Sequence, residues 1–447
     1  MKQLLACILI FMLLSCSRDN GNQLPLENTS DFKGEVAWMY SYGGSGDDTP
    51  RSIIETTDGG FAIFGFSNST DGDLAHKTNN VNDYWLLKID AEGSPQWSKT
   101  YGGSKDDRGQ AVIQTSDGGY AITGYAMSDD GDASNNEGFH DNWVLKLDSQ
   151  GTIEWEQSFG FSGHDHSYDI VESADGGLFF TGFLDITSAK ADGYLDKSYS
   201  LTRHGVGEFW GTRLNAQGEL SWRKYYGGTN NDRAHAVVTA QNEGFVMAGF
   251  SESEDYDVSD PRGSYDFWVV KVGNEGELVW EHSYGGTGID IAQDIAKTEN
   301  GGYVITGSTI STDGDVSEYH GGSDVWVISI DAQGALLWEQ TYGGAGFEAA
   351  ESIRPTRDGG FLISGNSKST DQDLAENAGE NDLWMLKIDA QGRLIWQQSF
   401  GGADLEFGFD ALESKDGGLL LVGESKSTNF NTLQNKGGTD LILIKIE

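Results

Sequence analysis

Cysteine is nearly absent. The 447 residues contain only Cys7 and Cys16, both close to the N-terminus, so no disulfide can staple the fold. Proline is scarce as well, at 5 residues, while glycine reaches 62, about twice the usual ~7%. Tight turns must therefore come from glycine, which points to many short strands. Positive charge is short: 29 Lys and Arg face 70 Asp and Glu, a net charge of −41. Such a surface repels phosphate backbones and excludes nucleic-acid binding as a general role. Acidic chains can be disordered, but 13 Trp, 17 Tyr and 21 Phe supply too much buriable area for that.

A long apolar run is also missing. Leu4–Leu14 (LLACILIFMLL) is eleven residues behind Lys2, where a membrane span needs about 20. That length suits the core of a secretory signal over residues 1–15. The run ends in Leu13-Leu14-Ser15-Cys16, which resembles the lipobox of bacterial lipoproteins. The resemblance implies cleavage before Cys16 and acylation there. Several acyl chains anchor stably where one does not. Ser17 after the cysteine implies the outer membrane, with the periplasmic or cell-surface face left open. Residues 16–33 are polar and read as a flexible tether.

What fills the rest is a repeat. Aromatic-Gly-Gly recurs at Tyr42, Tyr101, Tyr226, Tyr284, Tyr342 and Phe400, with Phe159-Gly160-Phe161 as a degenerate copy. Successive anchors are 59, 58, 67, 58, 58 and 58 residues apart. Sixteen residues after each anchor lies a turn such as Asp58-Gly59-Gly60 or Asp117-Gly118-Gly119. Asp-Gly between two apolar runs signals a hairpin in which both turn residues take positive φ. Two hairpins per unit make four antiparallel strands, and seven such units read as a seven-bladed β-propeller over residues 34–447. The blades run at about 43–101, 102–159, 160–226, 227–284, 285–342, 343–400, and 401–447 plus 34–42. The chain stops after a third strand, Leu441–Glu447, and Glu35–Tyr42 supplies the missing fourth, so the N-terminal strand should close the ring.

Tryptophan occurs on each fourth strand and on six of the third strands, a pattern for packing between blades. Eight residues past each anchor stands Pro50, Gly109, Ser167, Ala234, Ala292, Ala350 or Gly408. Small residues there suit first strands converging on a central channel. Six residues past each anchor stands an acid: Asp48, Asp107, Asp165, Asp232, Asp290, Glu348 or Glu406. A second set, Asp83, Asp141, Glu208, Asp266, Asp324, Asp382 and Asp440, opens the third strands. Both sets belong on one face, as structural rings that cap backbone N–H groups or as cation ligands.

Asp71-Gly72-Asp73, Asp130-Gly131-Asp132 and Asp313-Gly314-Asp315 resemble half of a calcium loop, and Asx-turns explain them equally. Calcium is thus the one ion the loops suggest; no cofactor is expected. Departures from the repeat are more specific. Arg51, Arg108, His166 and Arg233 confine positive charge to blades one to four near the channel mouth, and Arg203 and His204 lie in an insertion within Asp185–Gly207. These six are the candidate ligand-binding residues, suited to an anionic ligand. The charge balance favours a second reading, in which the arginines only neutralise the acids beside them. His140, His164, His166 and His204 are further candidates for zinc, although no His-x-x-x-His pattern compels it.

The array from Glu35 onward resembles the propeller-repeat lipoproteins of Bacteroidetes-type bacteria, through Trp97–Gly103, Asp117–Tyr120 and Asp141–Gly151. Asp389–Trp396 also looks like the tryptophan-docking motif of quinoprotein propellers. Its shorter Asp-to-Gly spacing and seven rather than eight blades argue against pyrroloquinoline quinone. A similar motif in outer-membrane assembly lipoproteins implies a docking scaffold. Two functions follow: a non-enzymatic, monomeric scaffold for a protein or glycan, or a carbohydrate-active hydrolase or lyase at the channel mouth. Acids repeated sevenfold, with no unrepeated carboxylate pair in view, favour the scaffold.

Overall fold

Among the described residues, alternating glycine turns and apolar runs give 28 strands in seven four-stranded antiparallel sheets. The computed structural model describes residues 32–161, 163–184, 207–240, 243–374, 376–430 and 433–447. Cys16 and the insertion residues Arg203 and His204 lie outside them. In the first blade the strands are Asp48–Glu55, Phe61–Ser67, Asp83–Ile89 and Pro95–Tyr101, hydrogen-bonded in that order. First strands of successive blades adjoin one another, so they are the inner ones. The chain is a seven-bladed β-propeller.

Its ring closes as the chain ends require. Val36–Tyr42 pairs antiparallel with Asp440–Ile446, Trp38 opposite Lys445 and Tyr42 opposite Leu441. Glu35 and Glu447 exchange both backbone hydrogen bonds, at 3.0 and 2.9 Å. This seventh blade therefore takes its outer strand from the N-terminal end.

Blades hold each other through the repeated aromatics. The third-strand residues Trp85, Trp143, Trp210, Trp268, Trp326 and Trp384 are all buried, and the outer-strand tryptophans are half-buried. Each anchor tyrosine latches the next blade: Tyr101 donates to the Gly151 carbonyl at 2.6 Å and Tyr226 to that of Gly276 at 2.8 Å.

Two expectations need correction. In the Asp-Gly-Gly turns only the glycine takes positive φ, for example +85° at Gly59 and Gly118. The turn is a longer loop closed by Thr56 N–H to the Gly60 carbonyl, and Asp58 accepts the Gly60 N–H instead of adopting positive φ. Second, the small residues eight past each anchor do sit on the inner strands, but they do not line the channel. Ala234, Ala292 and Ala350 are buried outright, each paired with a second-strand glycine (Gly249, Gly307, Gly365). A Cβ on Gly365 would stand 2.0 Å from the Ala349 carbonyl. Every inner strand then bulges by one residue. The bulge turns the ninth residue past the anchor inward.

Candidate functional site: the mouth of the channel

Both acid sets lie on one face, as expected. The first set is fully buried. Asp107 accepts N–H bonds from Gly103 at 3.0 Å, Met127 at 2.9 Å and Ser128 at 3.0 Å; Asp290 accepts from Gly286 N–H and Ser311 Oγ, each at 2.8 Å. These carboxylates tie the aromatic-Gly-Gly turn to the end of the second strand. In the second set one oxygen of Asp141, Asp266, Asp324, Asp382 and Asp440 caps a loop amide, as Asp141 does for Glu137 at 2.6 Å and Asp382 for Ala378 at 2.7 Å. The other oxygen, Oδ1 of Asp83, Asp141, Asp266, Asp324, Asp382 and Asp440, is buried without a hydrogen-bond partner. Burial accordingly pushes Asp83, Asp266 and Asp324 up to about 6 and Asp141 to about 7. At Asp83 the ammonium of Lys77 stands 3.3 Å away and opposes the rise.

The aspartate loops act as clamps. Asp71 accepts Ser45 N–H at 2.6 Å and Asp73 accepts Gly43 N–H at 2.8 Å. Asp130 and Asp132 hold Ser104 and Gly102 at 2.8 and 3.2 Å, and Asp313 and Asp315 hold Thr287 and Gly285 at 2.7 and 3.2 Å. The middle residue takes positive φ, +57° at Gly72 and +70° at Gly314. Blade four carries a copy that sequence comparison missed, Asp255-Tyr256-Asp257, because Tyr256 takes that position at φ +53° without being glycine.

At the rim, each acid of the first set donates its own N–H to the carbonyl of the residue before the preceding blade's third strand, at 2.7–2.9 Å in all seven junctions. Three rim positions meet there. Around the ring they hold Thr439, Asp47, Thr49; Asn82, Asp106, Arg108; His140, His164, His166; Gly207, Asn231, Arg233; Tyr265, Ile289, Ile291; Ser323, Phe347, Ala349; and Asn381, Leu405, Phe407. The rim thus divides into a polar arc over four junctions and a largely apolar arc over three. On the apolar arc Phe347 is 47% exposed, Ile310 41% and Ile289 38%.

The polar arc does not neutralise the acid ring. Arg108 pairs with Asp106 at 2.7 Å and lies over Phe66. Arg233 donates to Asn231 at 3.0 Å and its guanidinium sits 4.2 Å from the Phe183 ring centroid. Arg51 is one register step deeper, its guanidinium 4.2 Å from Phe409. Among the described residues none of the three pairs with Asp48, Asp107 or Asp232. The ring acids are satisfied by amides and hydroxyls.

Between blades two and three the rim brings three imidazoles together. His140 Nδ1 lies 3.0 Å from His166 Nε2 and 3.0 Å from His164 Nδ1. Tyr125 stacks on His166 at 3.8 Å, and Phe139 packs on His140 and His164. Burial holds His140 down at about 4 and His166 at about 2, so both rings are neutral at physiological pH.

Inside the mouth a cavity of about 290 Å³ is lined by the ninth-position ring Arg51, Gln110, Tyr168, His235, Gln293, Glu351 and Phe409. One residue on, blades three, five and seven carry Asp169, Asp294 and Asp410, acids outside the sevenfold pattern. Each accepts the N–H of its own successor and of the neighbouring blade's inner strand: Val237 and Ile353 at 2.8 Å, Ile53 at 3.0 Å. Arg354 pairs with Asp410 at 3.0 Å. Burial raises Asp169 to about 7 and Asp294 to about 6. Their signal in the sequence is an acid where sister blades have Ser or Ala.

No protein-family model and no curated protein matches the chain. Solved structures similar to it include WD40 domains. The WD40 domain of Neurospora crassa Pan2 is 9% identical, with 90% of this chain and 89% of that one covered at a TM-score of 0.48. The WD40 propeller domain of Doa1 is 11% identical over 93% and 98%, with a TM-score of 0.48. BamB from Moraxella catarrhalis is 10% identical over 91% and 100%, with a TM-score of 0.40. Among the described residues no helix is long and apolar enough to cross a membrane.

Proposed function

We propose that this propeller is a non-enzymatic interaction scaffold that docks a protein through the mouth face, on a chain held to the outer membrane by acylated Cys16. The observation that carries the docking is the apolar arc: Ile289 with the adjoining Ile310 at one blade junction, and Phe347 at the next, stand exposed on a chain with a net charge of −41. Exposed apolar residues grouped on an otherwise charged surface mark a binding face. Support for binding over hydrolysis comes from the channel carboxylates. Asp169, Asp294 and Asp410 are committed to backbone amides, and Asp410 to Arg354. Among the described residues this leaves Glu351 as the one carboxylate of the cavity lining outside those bonds, where hydrolysis calls for a pair. Anchorage rests on the sequence run Leu13–Cys16.

Photo-crosslinking from position 347 in cells tests the docking. A discrete adduct that disappears with Ile289→Lys is expected; absence of any adduct from this arc overturns it. Replacing Cys16 with Ala should move the chain from the membrane to the soluble fraction. Unchanged fractionation would overturn the anchor.

A further inference from the structure

We propose that His140, His164 and His166 form a binding site for one divalent transition-metal ion of the zinc type, at the rim between blades two and three. The three facing nitrogens, His140 Nδ1, His164 Nδ1 and His166 Nε2, lie within 4.8 Å of one another. A tetrahedral zinc ion with bonds of ~2.0–2.1 Å wants its nitrogens about 3.4 Å apart. Parting the two 3.0 Å contacts by a few tenths of an ångström, and drawing the His164 nitrogen in toward that of His166 from a spread of up to 4.8 Å, reaches that spacing.

Hydrogen bonding leaves the cluster frustrated. A neutral imidazole offers one N–H and one lone pair, while His140 Nδ1 faces two other ring nitrogens at once. An ion at the centre uses all three lone pairs. The frame that aims them is rigid. His140 and His164 are joined by a parallel backbone bridge, and the Asp165 N–H donates to the His140 carbonyl at 2.9 Å. His166 is fixed by its stack on Tyr125, and its second nitrogen lies 3.4 Å from the Tyr168 hydroxyl, a polar contact of the kind that orients metal-bound histidines.

The repeat adds an independent argument. The chain has 8 histidines, and three of them occupy the three rim positions of a single junction. Flanking junctions fill the same positions with Asn82, Asp106 and Arg108, or with Gly207, Asn231 and Arg233. The ligand set selects the metal. Three imidazoles without a carboxylate suit zinc, nickel or copper, whereas calcium and magnesium want oxygen. His164 is exposed, so the coordination sphere can be completed from solvent.

Zinc alone is the probe. Purified full-length chain, stripped with chelator, is titrated with zinc chloride by calorimetry, and cobalt is then substituted to read its visible absorption. One equivalent of zinc with tetrahedral cobalt bands is expected. His164→Asn, which places the blade-four residue at an exposed position, should leave the metal-free melting temperature unchanged. It should weaken zinc binding by at least the ~10–100-fold seen when even an outer partner of a metal ligand is lost. His140→Gln should do the same. Failure of the wild type to take up zinc, or one-equivalent binding of unchanged affinity in both variants, overturns the site.

Discussion

Two belts of residues lie next to each other on the mouth face and obey different rules. The acid belt, from Asp48 round to Glu406, repeats the same hydrogen bonds blade after blade. The rim belt, displaced by a single residue along the chain, changes character from Asp106 and Arg108 to Ile289 and Ile291 and on to Phe347. Residues that appear in every blade answer a need every blade shares: satisfying the buried amides of the turn. Residues that break the repeat are released from that shared need, although Asp169, Asp294 and Asp410 still serve amides between blades. Function on a repeat protein is therefore best sought where the repeat fails.

Perturbation should separate the belts. The largest effect is expected from deleting residues 34–42, which removes a whole outer strand and bares the edge of Asp440–Ile446. The melting temperature should collapse or cooperative unfolding be lost; an unchanged melt would deny ring closure its role. Next comes the acid belt. Asp107→Ala strands three amides that it now accepts, and should cost about 3 kcal/mol in denaturant melts.

A smaller, pH-dependent effect belongs to the second acid set. Asp141 has a folded value of about 7 against an ordinary 3.8, so the folded state holds its proton more tightly. The stability this contributes is complete below pH 3.8 and drains away as pH rises through 7, with a slope of up to about 1.4 kcal/mol per pH unit. Asp141→Asn should flatten the wild-type decline in stability between pH 5 and 7, and a variant with the wild-type slope would contradict this. The smallest effect is expected at the rim. Arg108→Ala with Arg233→Ala should change stability by no more than about 0.5 kcal/mol at low or high salt, since neither arginine touches a ring acid. A salt-dependent loss near 1 kcal/mol would restore the neutralisation reading.

Much of the architecture was legible because it is written as a period. The spacing of Tyr101, Tyr284 and Tyr342, the tryptophans and the orphan strand Glu35–Tyr42 are all visible as one pattern seen seven times. What escaped was register and partnership. One bulged residue per inner strand moved the lining of the channel from Ala234 to His235, because a shift of one exchanges the two faces of a strand. The same shift put Arg51 in the channel rather than with Arg108 and Arg233 at the rim. Asp71 and Asp73 read as metal ligands or turn formers alike until the amides of Ser45 and Gly43 were seen in their grasp. His140 and His164, 24 residues apart, meet only because a parallel bridge crosses from one blade to the next.

The closing strand also sets an order of events. Val36–Tyr42 is among the first segments of the propeller to be synthesised, yet its partner Asp440–Ile446 is the last. Six blades can zip from local hairpins as the chain emerges, but the seventh must wait for a contact spanning nearly the whole sequence. Such a long loop closes slowly. Until then the newest sheet presents an unpaired edge to whatever surrounds it. Asp440–Ile446 is thus a clasp: a chain cut short of it leaves a ring that has been built but cannot lock.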